Sequence, residues 1–209
     1  IGYWKFDESS GTAAANNTEC GYYGTLVNME DIDWVAAVDR PGNALNFDGV
    51  NEYVEITGYK GVIGSNPRTV AAWIKTSTTG EIITWGTNST SQKWVFRVQD
   101  GAGQLGAIRV EVGGGYITGK TDLRDNLWHH VAAVLGEGDM DGSDVKLYVD
   151  GVEESPYSAV LAEPVNTAVG SDVKIGVFIG QDRYFTGQID DVRIYSRALS
   201  AAEIWELAN

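Results

Sequence analysis

Twelve short runs of alternating apolar and polar residues, nearly all closed by glycine, asparagine, aspartate or serine, limit what this 209-residue chain can fold into. They span 2–7, 44–49, 52–57, 68–76, 81–86, 94–99, 107–112, 115–119, 129–136, 145–151, 173–180 and 187–195. A period of two puts alternate side chains on opposite faces of a strand, so each run predicts a β-strand. Parallel strands need crossover helices, and no amphipathic helical stretch separates these runs. Antiparallel sheets packed face to face are therefore expected. Such sandwiches reach ~200–250 residues as one domain, and no linker, tandem repeat or low-complexity tract interrupts the chain, so residues 1–209 read as a single all-β domain.

The period changes only at the end. In "SRALSAAEIWELA" (196–208), Ser200 stands as an N-cap with Glu203 three residues on, the spacing of a capping box, and Ile204 and Leu207 share one face. This predicts a short terminal helix that seals one end of the sandwich.

A net charge of -14 argues against nucleic acid and anionic membranes as partners, because both demand a basic face. It is compatible with cations and with neutral ligands. The single cysteine, Cys20, permits no internal disulfide and no cysteine-rich metal site. No apolar run approaches the ~20 residues that span a bilayer, and the chain opens directly on the strand-like "IGYWKF", which reads as a mature fragment or an excised module.

One strand poses a problem. Strict alternation in "QIDDVRIY" (188–195) sets Ile189, Asp191, Arg193 and Tyr195 on one face and Asp190, Val192 and Ile194 on the other, so at least one aspartate sits beside apolar neighbours. A buried carboxylate needs an arginine, several backbone N–H groups or a metal ion. Arg193, Arg183 and backbone N–H groups are the protein partners in view.

"GNALNFDGVNEYVEI" (42–56), "LWHHVAAVLGEGDMDGSDVKLYVDGV" (127–152) and "FTGQIDDVRIYSRALSAAEI" (185–204) follow one another in a fixed order after the opening "YWKFDESSGTAAANN" (3–17). Together they resemble the laminin-G-like jelly-roll modules of the concanavalin-A-like lectin and glucanase superfamily. The resemblance implies a jelly roll of one concave and one convex antiparallel sheet, found mostly in secreted or cell-surface proteins. Such modules bind carbohydrate or protein ligands, or serve as accessory parts of larger enzymes.

Taken residue by residue, the same motifs are mostly structural. In "WHHVAAV", Trp128, His130, Ala132 and Val134 share a face, so His130 reads as a hydrogen-bonded core histidine. Asp150-Gly151 reads as a tight hairpin turn. Glycosidases of the superfamily carry carboxylates at alternate positions of one strand, as acid and nucleophile. No Glu-x-Asp-x-x-Glu occurs here; "EDIDW" (30–34) comes nearest, in an expected loop and without a third carboxylate. No serine sits in a glycine-flanked elbow either, and a non-catalytic chain is expected.

Related glucanases hold a structural calcium between the first strand, an early turn and an aspartate of the last strand. Matched by motif, the resemblance assigns Asp190 as the last-strand ligand, Asp7 or Glu8 as the first and Asp48 as the turn ligand. A pairing of Asp190 and Asp191 with arginine or backbone stands beside that reading. "WGTNSTSQKWVF" (85–96) and "VFIGQDRYFTG" (177–187) resemble the two segments that hold ligand-bridging calcium in pentraxins, although Arg183 follows where a cation would sit. They give a one-ion or metal-free sugar site of Trp85, Asn88, Gln181, Asp182 and Tyr184. Asp139, Asp141 and Asp144 form a third acidic loop that lacks the closing glutamate of a calcium loop.

Aromatic faces stack on the apolar side of a pyranose. Trp73, Trp94 and Trp128 fall in strands and are expected in the core, whereas Trp34, Trp85, Tyr116 and Tyr184 fall near loop ends and are better placed for a ligand. The leading expectation is a carbohydrate- or surface-binding module of a larger extracellular protein. An adhesive spacer without its own ligand, or a divergent polysaccharide-degrading enzyme, are the alternatives.

Overall fold

The computed structural model describes residues 2–19, 21–101, 103–137, 144–160, 164–180 and 183–209. Its strands are β1 (Gly2–Trp4), β2 (Ala13–Ala14), β3 (Gly24–Val27), β4 (Trp34–Ala36), β5 (Asn43–Asp48), β6 (Tyr53–Ile56), β7 (Arg68–Lys75), β8 (Gly80–Gly86) and β9 (Lys93–Val98). After them come β10 (Ile108–Glu111), β11 (Tyr116–Thr118), β12 (Trp128–Leu135), β13 (Lys146–Val149), β14 (Val152–Glu153), β15 (Ser158–Val160), β16 (Ser171–Ile175) and β17 (Thr186–Tyr195). A helix, α1 (Ala201–Ala208), follows. All strand pairings are antiparallel, in two sheets ordered β14-β13-β12-β7-β17-β5-β4 and β15-β11-β10-β9-β8-β16-β6-β3-β2, with β1 paired to β17. The all-β sandwich read from the sequence is the fold. No helix among the described residues is long and apolar enough to cross a membrane.

Alternation divides each strand between an inner and an outer face. Inward residues such as Trp4, Phe47, Val54, Ile74, Trp85, Trp94, Phe96, Val110 and Ile189 build one core between the sheets. Trp85 stacks on Trp94 at 5.8 Å between ring centroids. A second, smaller cluster lies on the outside of the eight-stranded sheet, where Ile204 and Leu207 of α1 meet Ala132, Val134 and Tyr148. The helix therefore covers part of a sheet face, where the sequence suggested an end of the sandwich. Its cap is as expected: Glu203 N–H donates to Ser200 Oγ and Ser200 N–H to the Glu203 carboxylate.

The expected strand 173–180 breaks at Gly176, which lies at φ 84 where a Cβ would approach the Phe47 ring to 2.5 Å. The chain then leaves the core as a hairpin, with Val177 bridged to Tyr184, and returns at the buried Phe185.

β17 departs from strict alternation. Between Asp190 and Arg193 its register against β7 shifts, and Asp191 takes φ 51. This bulge inserts one residue on the outer side. Ile189, Val192 and Ile194 consequently all face the inner core, while Asp190 lies opposite Trp73 on the outer face. The two-sided split expected for the "IDD" run is thereby corrected. Arg40, from the turn between β4 and β5, supplies the missing partner: one Nη lies 3.0 Å from Asp190 and 2.9 Å from Asp191. Asp190 also accepts the Asp191 N–H at 2.7 Å. The Arg40 guanidinium stacks 3.8 Å from the Trp73 ring centroid and 5.5 Å from that of Trp128, so these two tryptophans form an outer platform and not inter-sheet core. Tyr3 on β1 bonds Asp191, and Arg193 donates to the Tyr3 hydroxyl.

Burial, and then the charge of Asp191, push the Asp190 carboxyl up to about 7 against the pull of Arg40. His130, on the same outer face, packs edge-on to Trp73, and burial pushes it down to about 4. It is buried as expected, but its Nδ1 has no hydrogen-bond partner among the described residues.

Removing one partner of a buried ion pair leaves the other charge uncompensated, so Arg40→Ala should lower unfolding stability by about 3–5 kcal/mol in urea titrations. Gly176→Ala should cost more than about 1 kcal/mol in the same assay, from the positive φ and the Phe47 contact together.

Candidate functional site

The outer face of the nine-stranded sheet is built by period-two alternation into a polar ladder. Tyr53 and Glu55 on β6, Lys174 on β16, Glu81 and Thr84 on β8, Lys93 and Arg97 on β9, Arg109 and Glu111 on β10, and Tyr116 on β11 alternate with inward core residues. Cross-strand pairs hold them. Lys174 lies 2.9 Å from Glu55 and 4.7 Å from the Tyr53 ring centroid; Lys93 lies 2.8 Å and Arg109 3.0 Å from Glu111. Arg109 stacks at 3.8 Å on Tyr116. Burial alone would raise the Glu111 carboxyl, but Lys93, Arg109 and Arg97 outweigh it and hold the group below the usual range.

The 177–184 hairpin lies across this ladder. Thr84 Oγ donates to the Val177 carbonyl at 3.0 Å, and Phe178 N–H donates to the Arg183 carbonyl at 3.0 Å. On one flank of the hairpin a cleft of about 350 Å³ opens, floored by Tyr53, Ser171 and Lys174 and walled by Val177, Phe178, Ile179, Gly180 and Tyr184. On another flank Asn88, Lys93, Thr84 and Val95 meet Phe178 and Ile179. Small-ligand sites of ~300–1,000 Å³ commonly join apolar walls to a few convergent polar groups, and this cleft has that character.

The sequence-derived site residues fare differently. Tyr184 lines the cleft, and Asn88 sits against Gly180, where a Cβ would lie 3.3 Å from its Nδ2, so the two loops do meet. Trp85 backs the flank that Asn88 shares, but it is fully buried, with its indole N–H donated to the Val62 carbonyl at 3.0 Å, so its ring is closed to a ligand. Trp34 is likewise buried, donating to the Gly11 carbonyl. Gln181 and Asp182 lie outside the described residues, as do Cys20, Asp139 and Asp141. Arg183, a cation where a bound metal ion would be repelled, ion-pairs with Glu81 at 2.6 Å.

Asp7 and Asp190 line one small cleft with Tyr3, Arg40 and Asp191, whereas Asp48 is not among its residues. Asp7 Oδ1 accepts the Asn43 N–H, Asp48 closes its own turn by accepting the Val50 N–H at 2.7 Å, and Asp190 is held by Arg40. Asp48 lies opposite Thr186, four positions along β17 from Asp190. Among the described residues no group of three or more His, Cys, Asp or Glu is placed to hold a metal ion. The Arg40 guanidinium already pairs with the Asp190 and Asp191 carboxylates, so these residues as arranged do not fit the inferred ion. The "EDIDW" carboxylates cap a single 3-10 turn, Glu30 N–H donating to Asp33 at 2.6 Å.

Glu81 escaped the sequence reading altogether. It is the lone carboxylate of "EIITWG", and the bulge between Glu81 and Ile83 that turns it outward has no signature in the sequence.

The comparisons agree with this architecture. No curated protein matches the sequence. Among solved structures, domain 4 of AbnA, a GH43 extracellular arabinanase from Geobacillus stearothermophilus in complex with arabinotriose, is similar with a TM-score of 0.74 and 20% identity, over 100% of this chain and 97% of that one. The CBM40 of the Ruminococcus gnavus IT-sialidase is similar with a TM-score of 0.60 and 13% identity, over 79% and 96%, and a second structure shows it bound to alpha2,3 sialyllactose. The botulinum neurotoxin serotype G binding domain gives a TM-score of 0.64 at 12% identity, over 99% of this chain and 50% of that one. At these identities the likeness establishes the fold. A laminin G family model described as the concanavalin A-like lectin/glucanases superfamily matches residues 48–205, most of the chain, and this chain accordingly belongs to that superfamily.

Proposed function

We propose that the chain is a non-catalytic carbohydrate-binding module of a secreted or cell-surface protein, and that it takes a saccharide in the cleft between Tyr53 and Tyr184. The observation that carries this reading is the composition of the cleft. Aromatic side chains from two different elements, Tyr53 on the sheet and Phe178 and Tyr184 on the hairpin, stand beside Ser171 and Lys174 in one depression. A sugar ring presents an apolar face to stack on an aromatic ring and hydroxyls that exchange hydrogen bonds with such neighbours. The similar solved domains include one in complex with arabinotriose and one bound to alpha2,3 sialyllactose, which supports a saccharide over other small ligands. Calcium is no part of this reading, and neither is hydrolysis.

A glycan array followed by titration calorimetry tests it. A defined glycan class should bind, and Tyr184→Ala and Tyr53→Ala should each weaken binding roughly tenfold, about 1.4 kcal/mol. Asn88→Ala, on the far flank, should change affinity less. Absence of binding to every glycan by a folded chain would favour an adhesive spacer. Polysaccharide turnover abolished by one carboxylate substitution would overturn the non-catalytic assignment.

A further inference from the structure

The cleft wall is tied to the sheet by a group the ligand cannot reach. Glu81 is 1% exposed and lies outside the cleft lining. Arg183 reaches it from the hairpin at 2.6 Å, and its guanidinium also stacks 4.3 Å from the Phe178 ring centroid, so one side chain touches both the anchor and the wall. Among the described residues the hairpin is secured near its base, by the Thr84 hydroxyl on the Val177 carbonyl and by backbone bonds from Phe185 to Gly176 and from Phe178 to Arg183. We propose that Glu81 is a positioning residue of the cleft: through Arg183 it fixes where Phe178, Ile179 and Tyr184 stand over Tyr53 and Lys174, so that occupancy of the cleft follows the charge on Glu81. The consequence for affinity rests on the saccharide reading above; the consequence for the wall does not.

The surroundings of Glu81 leave Arg183 as its principal partner. Arg97, directly across on β9, is 3.9 Å away and engages Asp100 at 2.8 Å and Glu111 at 3.7 Å. On β10, Arg109 is held by Glu111. Lys93 is also held by Glu111. On the opposite flank Lys174 of β16 lies across from Thr84 and is held by Glu55. The Arg183–Glu81 pair is held by charge: among the described residues neither Glu81 Oε1 nor Arg183 Nε makes an aligned hydrogen bond.

Burial pushes the Glu81 carboxyl up to about 7, against Arg183 and Arg97 and with help from the charges of Asp100 and Glu111. Above that pH the carboxylate is ionised and the pair to Arg183 is complete. Below it Glu81 takes up a proton and the charge holding the wall is lost. The folded value lies above the unfolded one, so from pH 7 down to about 4.5 the folded chain binds the proton more tightly, and this group adds stability as pH falls. Loosening of the wall thus separates from unfolding, which a merely structural role for Glu81 would not do.

The test uses the whole chain in two arms. Amide NMR spectra from about pH 5.5 to about pH 8.5 should show Phe178 and Tyr184 shifting with a common midpoint near 7, and Glu81→Gln should abolish that transition. In the second arm, arabinotriose and alpha2,3 sialyllactose are titrated by calorimetry over the same range. The saccharide that binds should do so roughly fivefold or more tightly at the alkaline end, and E81Q should bind weakly and without pH dependence. If E81Q does not fold, Arg183→Gln serves instead and should likewise abolish the transition. Amides that titrate while neither saccharide binds would uphold the positioning role and discard these ligands. Amides flat across the range in the native chain, or a saccharide affinity indifferent to both pH and E81Q, would overturn the proposal.

Discussion

Arg40 reaches from the turn after β4 into the bulge of β17, at the point where that strand exchanges β5 for β1 as its neighbour on one side. Three separate parts of the chain converge on its guanidinium: the two aspartates of the last strand, Trp73 of β7 and Trp128 of β12. Through Asp191 the contact extends to Tyr3 of the first strand. A buried ion pair contributes little net stability when both partners must be desolvated, but it strongly penalises any register in which either is left alone. The bulge provides that discrimination. With it, the inner face of β17 is wholly apolar; without it, one carboxylate would point between the sheets.

Much of this architecture is legible in the sequence because it is local. The long alternating runs become strands, Ser200 and Glu203 form their reciprocal cap, and Asp150-Gly151 turns the chain with both residues at positive φ. β2, β4, β14 and β15 are two or three residues long, too short to show a period. β3 falls in "GTLV", which one glycine and one threonine disguise. The bulge at Asp191 was illegible for a different reason: an inserted residue leaves composition unchanged and reverses only the face assignments downstream. Arg40 lies 150 positions from Asp190, so no local pattern could join them.

The site shows the same division. That the loops carrying Asn88 and Tyr184 meet followed from family resemblance, not from spacing, and the structure brings them to one hairpin. Trp85 and Trp34 show that nearness to a loop in sequence is not nearness to solvent; each packs in the core and donates its indole N–H to a carbonyl. The chain's charge is also unevenly spread. Lys93, Arg97, Arg109, Lys174 and Arg183, a third of its 15 lysines and arginines, share the outer ladder of one sheet. Glu55, Glu81 and Glu111 pair with them there, so the described ladder beside the cleft carries charges of both signs.

The placement of β17 also sets an order of events during synthesis. Gly2 pairs with Ile194, and β5 and β7 find their shared neighbour more than a hundred residues later in the chain. The nine-stranded sheet, by contrast, contains the run β8 to β11 of successive neighbours, which can pair as each emerges. Closing contacts of long sequence separation is entropically slow. On a ribosome, the β8 to β11 part of the polar ladder can therefore assemble while its partner sheet still lacks a centre, leaving β5 and β7 each with an unpaired edge until nearly the whole domain has been made. An edge left open for that interval is a template on which another unfinished chain can pair.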